Sequence, residues 1–213
     1  MAEVPLSALD ARQQKLVENA HVAWAQGNAS YVLMVAAPIL KEHPGCLPVR
    51  RLVYAARLKL HGAKNVLAVQ AIKVRSLVAL VLGAKDKSAA GKFEWAERVL
   101  AAHPTNTTAL KLQAAAAHDL GWLQTTILLR EAVQALAPQD QRNRLALGEA
   151  WLLVERPDQA LRIADAILRE RPVDGEAQDL MRKASIAQTV SRGNWAQLGD
   201  FRGKLNPGPA PKG

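Results

Sequence analysis

The side chains able to do chemistry in this chain are few and scattered. Cys46 is its one cysteine; a single thiol makes no intramolecular disulfide and, without further soft ligands, no zinc or iron–sulfur site. Two of the five histidines, His43 and His103, share a setting, each directly before a proline at the end of an apolar run. There an imidazole can meet the free carbonyls of a helix C-terminus. His21, His61 and His118 stand apart from each other and from any ligand spacing. Glu149, Glu155, Asp158 and Asp165 are close in sequence, but the first two face different sides of a helix and the others follow a turn, so no acid–base pair is indicated. No Gly-rich phosphate loop, serine nucleophile elbow or histidine pair at metal spacing occurs. The expectation is a protein that is not an enzyme and that holds no metal or cofactor.

Charge is the second resource, and it is unevenly spent. The chain of 213 residues carries a formal net charge of +9, and the whole excess falls within residues 41–92. Arg50, Arg51, Arg57, Lys59, Lys64, Lys73 and Arg75 are the candidate basic patch there. Such a field attracts phosphate backbones, anionic lipid headgroups or an acidic protein segment, and the charges alone do not choose among them. With 49% hydrophobic and 22% charged residues the composition is that of a globular protein able to bury a core, and it excludes disordered and collagen-like classes. Residues 1–10 lack a basic stretch followed by an apolar one, so no secretory signal is predicted and the cytoplasm is the expected compartment. Val66–Leu82 is the most apolar stretch, but Lys73 and Arg75 interrupt it, and it is not read as a membrane span.

The elements that would position these groups follow from a repeat. Pro104, Pro138 and Pro172 are spaced 34 residues apart, each after an apolar helical run and before a polar turn. Between the last two, residues 141–154 and 159–171 read as two helices joined by Glu155–Asp158. Leu147, Gly148 and Trp151 set a small residue beside two bulky ones where a neighbouring helix can approach, and Ala160, Ala164 and Ile167 make a narrow small-residue stripe. Counting back from Pro44 gives another hairpin at 13–46, with Leu16, Ala20, Ala23, the Gln26–Gly27–Asn28 turn and Ile39. The 60 residues from Pro44 to Pro104 are not a whole number of repeats. The middle therefore reads as irregular: a helix at 48–61, a long apolar helix at 64–83, a loop at 84–91 and a shortened helix at 92–102. A capping helix is predicted at about 175–190, a turn at 191–195 into a short final helix, and a flexible Pro/Gly tail at 206–213.

On Leu147–Gly148, Trp151, Ala160 and Pro172, and on Leu110, Ala114, Ala117, Gly121, Val133 and Pro138 one period earlier, the chain resembles the tetratricopeptide repeat family. Arg144, Thr126, Arg130 and Ala164 depart from its bulky and small preferences. The resemblance implies an all-α fold, a right-handed superhelical solenoid of antiparallel hairpins with an irregular middle, in one domain over residues 1–205. Its units are about 13–46, an irregular 47–106, 107–140 and 141–174, with capping helices at 175–205. It also implies a scaffold whose first helices line a concave groove that takes a partner peptide or helix. By register, the groove positions are Gln14, Val17, His21 and Trp24, then Thr108, Lys111, Ala115 and His118, then Arg142, Leu145, Glu149 and Leu152. His21, Ala115 and Glu149 stand where a carboxylate-clamp subset of the family has asparagine, so a clamp on a C-terminal carboxylate is not expected. The expected partner is another protein, acidic if the basic segment helps. The other readings are a nucleic-acid- or ribosome-associated protein using the basic patch, and peripheral attachment to anionic membrane through 64–83. Trp24, Trp95, Trp122, Trp151 and Trp195 are expected to fill gaps between repeats rather than to stack on bases.

Overall fold

The computed structural model of the protein describes residues 3–62 and 88–192. The predicted apolar helix at 64–83, with Lys64, Lys73 and Arg75, the final turn and helix beyond 192, Trp195 and the tail at 206–213 lie outside these residues. Apart from a 3-10 turn at Leu6–Ala8 and an isolated bridge between Val4 and Cys46, the regular structure among the described residues is helical.

The helices are α1 (Ala11–Ala25), α2 (Ala29–Glu42), α3 (Leu47–Gly62), α4 (Ala89–Ala102), α5 (Thr107–Asp119), α6 (Leu123–Leu136), α7 (Gln141–Leu153), α8 (Pro157–Glu170) and α9 (Gly175–Arg192). Pairs α1/α2, α5/α6 and α7/α8 pack as hairpins, α4 packs on α5, and α9 closes the series against α8 and α7. This is an all-α helical repeat, and its hairpins with their 34-residue spacing are tetratricopeptide-like.

Helices α2, α4, α6 and α8 end by the same short device. His43, His103, Ala137 and Arg171 end α2, α4, α6 and α8, and their backbone N–H groups donate to Ile39, Val99, Val133 and Ile167. A proline follows each of them, which disfavours the α region at the preceding residue and helps to end the helix there. Two residues past three of those prolines stand Asn106, Asp140 and Asp174, whose side chains accept from Ala109, Asn143 and Ala177 and start the next helix. The histidines predicted to cap the carbonyls thus occupy the stop position, where the backbone N–H makes the capping bond.

Within hairpins the turn needs a left-handed residue. Gly27 (φ 83°) and Gly121 (φ 75°) supply it between α1 and α2 and between α5 and α6, while Glu155 (φ 58°) takes it between α7 and α8. Two predicted starts shift by more than one residue. Helix α8 begins at Pro157 rather than 159, because proline is suited to the first helical turn. Helix α4 begins at Ala89 rather than 92, because the Ser88 side chain accepts from Gly91 N–H and nucleates it earlier.

The buried apolar residues fall into separate clusters. One gathers Leu9, Val17, Val32, Ile39, Cys46, Val49 and Val53 from α1–α3; a second gathers Phe93, Leu100, Leu110, Trp122 and Val133 from α4–α6; a third centres on Ala160, Ala164, Ile167 and Leu180 in α8 and α9. Trp122 is buried, and Trp24, Trp95 and Trp151 are half-buried against these clusters. No described helix is long and apolar enough to cross a membrane.

Candidate functional site

The first helices of successive hairpins build a groove. Between α7 and α9 lies an open recess of about 340 Å³ lined by Arg142, Leu145, Glu149, Glu176, Leu180 and Lys183. A smaller one of about 180 Å³ lies among α5, α6 and α7, lined by His118, Asp119, Thr126, Arg130 and Glu149 among others. Ala146 and Glu149 line both, so the two recesses adjoin along α7.

His118, Arg142 and Glu149 are exposed and come together here, while Leu145 is 9% exposed and belongs to the third core cluster as much as to the groove floor. Thr108 is exposed and Ala115 lines the smaller recess. Lys111 is not a free groove cation: its ammonium pairs with Asp140, the residue that caps α7.

On α1 the predicted groove residues scatter. Val17 is 3% exposed and packs in the first core, which corrects its placement in the groove. The reason is local: Gln13, Val17 and Ala20 form the inward stripe of α1, and position 17 lies on that stripe. Gln14 is half-buried and donates to the Leu9 carbonyl at 2.8 Å. His21 is exposed, and the half-buried Trp24 ring lies beneath Lys59 Nζ at 5.3 Å.

Sequence reasoning missed Glu176, Asp179 and Lys183 on α9. They stand one 34-residue period after Arg142, Leu145 and Glu149, so the register already used for α5 and α7 carried the signal. Arg130, which the family pattern flagged as a departure, comes from a second helix. Burial pushes its pKa down while Asp140 and Glu149 pull the other way, and its Nε is buried without a hydrogen-bond partner among the described residues.

Two of the four described members of the basic patch, Arg50 and Arg57, are turned to internal use, while Arg51 and Lys59 stay exposed. Arg50 is 8% exposed; its Nε donates to the Pro44 carbonyl at 2.5 Å and its Nη1 to Glu97 Oε2 at 2.8 Å. Arg57 Nη1 pairs with Glu97 Oε1 at 2.6 Å, and Gln113 Nε2 donates to Glu97 Oε2 at 2.5 Å. The Arg50 guanidinium also lies 4.3 Å from the Phe93 ring centre and 5.8 Å from that of Trp122, while these rings meet edge to face at 5.0 Å. Burial pushes the Glu97 carboxyl up, but Arg50 and Arg57 outweigh it and hold the group below the usual carboxylate range. Arg51 remains exposed, near enough to Glu131 to offset part of the rise that burial imposes on that carboxyl, and Lys59 remains exposed beside Trp24. The network ties α3 to α4 and α5, and with it the first core to the second.

No group of three or more metal-ligating side chains occurs among the described residues. The Cys46 thiol is buried, and burial pushes its pKa up.

No protein-family model matches the chain and no curated protein matches it. Among solved structures it is similar to the first TPR of Spaghetti (RPAP3) bound to HSP90 peptide SRMEEVD, at 18% identity over 56% of this chain and 92% of that one, with a TM-score of 0.44. It is similar to a tetratricopeptide repeat protein from Parabacteroides merdae, at 16% identity over 86% of this chain and 61% of that one, TM-score 0.41. A thermophilic TPR protein of Thermus thermophilus matches at 18% identity over 83% of this chain and 98% of that one, TM-score 0.39.

Proposed function

We propose that the protein is a non-enzymatic scaffold that holds a segment of another protein, extended or helical, in the groove along α5, α7 and α9, and that it works in the cytoplasm. The observation that supports this reading is the continuous run of exposed, chemically mixed side chains on successive first helices. Arg142 and Lys183 alternate there with Glu149, Glu176 and Asp179 over apolar Leu145, Ala146 and Leu180. Arg142, Glu176 and Lys183 make no ion pair among the described residues, so their charges are available to a ligand, while the charge of Glu149 also acts on the neighbouring Arg130. Mixed charge of this kind selects a partner carrying both signs rather than an acidic one, and gives specificity more than raw affinity.

The test is selection from a displayed library of random peptides on the full chain, repeated with the variant Arg142→Glu/Lys183→Glu. Peptides held by the native chain and lost by the variant support the groove. Peptides held equally by both, or none held at all, overturn it. Lys111 is left untouched in this test, because its pairing with Asp140 is part of the fold.

A further inference from the structure

Helices α1, α2, α4, α5, α7 and α9 carry their own N-cap: Asp10, Asn28, Ser88, Asn106, Asp140 and Asp174 each accept from a backbone N–H three residues on. Helix α8 has proline in its first turn instead. Helix α6 has neither, since its N-cap residue is Trp122, whose side chain makes no capping bond. The cap comes from 121 and 122 residues away: Glu3 Oε2 accepts from Gln124 N–H at 3.1 Å and Glu3 Oε1 from Thr125 N–H at 2.6 Å. A carboxylate spanning two free amides at a positive helix end is a charge-assisted contact.

The segment that delivers this carboxylate is itself fixed to the first core. Val4 N–H donates to the Gly45 carbonyl at 3.0 Å in the bridge to Cys46; Val4 and Leu6 pack on the first core, and Leu9 is buried in it. Residues 3–10 therefore run from the first core, past the buried Cys46, to the α6 N-terminus in the second. We propose that Glu3 is a latch: its carboxylate on α6 keeps residues 3–10 closed over Cys46 and holds the first core in register with the second. The latch is a conformational device separate from the peptide groove.

Cys46, the one thiol in the chain, reports on it. In the full-length chain, Glu3→Ala is expected to raise the rate of Cys46 modification by Ellman's reagent roughly tenfold through local opening, with Glu3→Gln, which keeps one acceptor oxygen, in between. Amide exchange read on the same samples is expected to rise at 122–126 and around Gly45–Cys46, with residues 157–192 as protected as in the native chain. Unchanged thiol reactivity with faster exchange confined to 122–126 would make Glu3 a local cap and overturn the latch. Lost protection at 157–192 would make it a general stabiliser and overturn it too.

Discussion

A Cβ placed on Gly148 would stand 2.5 Å from Leu180 Cδ2. Gly148 lies in the middle of α7 and Leu180 on α9, so the bare glycine sets how closely the first helices of neighbouring units approach along the groove. Leu180 is 3% exposed and has little room to yield. The substitution Gly148→Val is expected to cost about 2–3 kcal/mol through overpacking. Combined with Leu180→Ala, the loss should fall short of the sum of the single losses by about 1–2 kcal/mol. Urea unfolding of the four chains measures this, and strict additivity would show that the two residues do not share the space.

Glu155 holds the left-handed turn position that Gly27 and Gly121 hold in the other hairpins. For an L-residue that conformation costs about 1–2 kcal/mol, of which the greater freedom of unfolded glycine takes back a part. Glu155→Gly is therefore expected to stabilise the chain by about 0.5–1 kcal/mol, seen as a higher urea midpoint. A lower midpoint would mean that the Glu155 side chain contributes more than its backbone loses.

The Arg50–Glu97–Arg57 network sets part of the acid limit of stability. The folded carboxyl of Glu97 is held below its unfolded value, so its contribution is present above the unfolded value, about 4.3, and is lost as pH falls through the lower folded one. Glu131 runs the other way: burial raises it, so its contribution is present at acid pH and fades as pH rises through its raised value. Glu97→Gln should flatten the acid limb of a stability-against-pH curve, and at neutral pH should cost about 3–5 kcal/mol by leaving two guanidinium groups short of a charge partner. An unchanged acid limb would show that the network is not what protonation breaks.

Asp140 is held below the usual carboxylate range chiefly by the hydrogen bond from Lys111, and it caps α7 at the same time. Asp140→Ala is expected to cost about 1–2 kcal/mol. Lys111→Glu should also lower the melting temperature, since it sets a like charge against the cap. If Lys111→Glu leaves the melt unchanged, the pair is not coupled to the helix start.

What was legible in the sequence was what is local. The prolines at 104, 138 and 172, the Asn or Asp two residues on, and Gly27 and Gly121 each act within one turn, so the 34-residue frame and nearly every helix could be read from spacing. The junction was not legible, because Arg50 meets Glu97 across 47 positions and Glu3 meets Thr125 across 122, and nothing in either stretch names its partner. The net charge of residues 41–92 suggested an outward field, yet Arg50 and Arg57 turn inward to one carboxylate that lies beyond that segment. Val17 was assigned to the groove by repeat register, but an inward stripe on a helix is wide enough to include it. Glu176, Asp179 and Lys183 could have been found by carrying the same register one unit further.

The joints between hairpins have a bearing on how such a chain can change length. Stop and start lie within four residues, from Ala137 to Asp140 and again from Arg171 to Asp174, and neither needs a distant partner to be read. A duplicated copy of residues 141–174 would bring its own ending and its own beginning, and would add one hairpin without re-phasing the residues after it. The Pro44 joint lacks that independence: two residues on stands buried Cys46 instead of a cap, held by Val4. Growth by whole units is thus open to the carboxyl-terminal half of the array and closed at the joint where residues 3–10 must still reach α6.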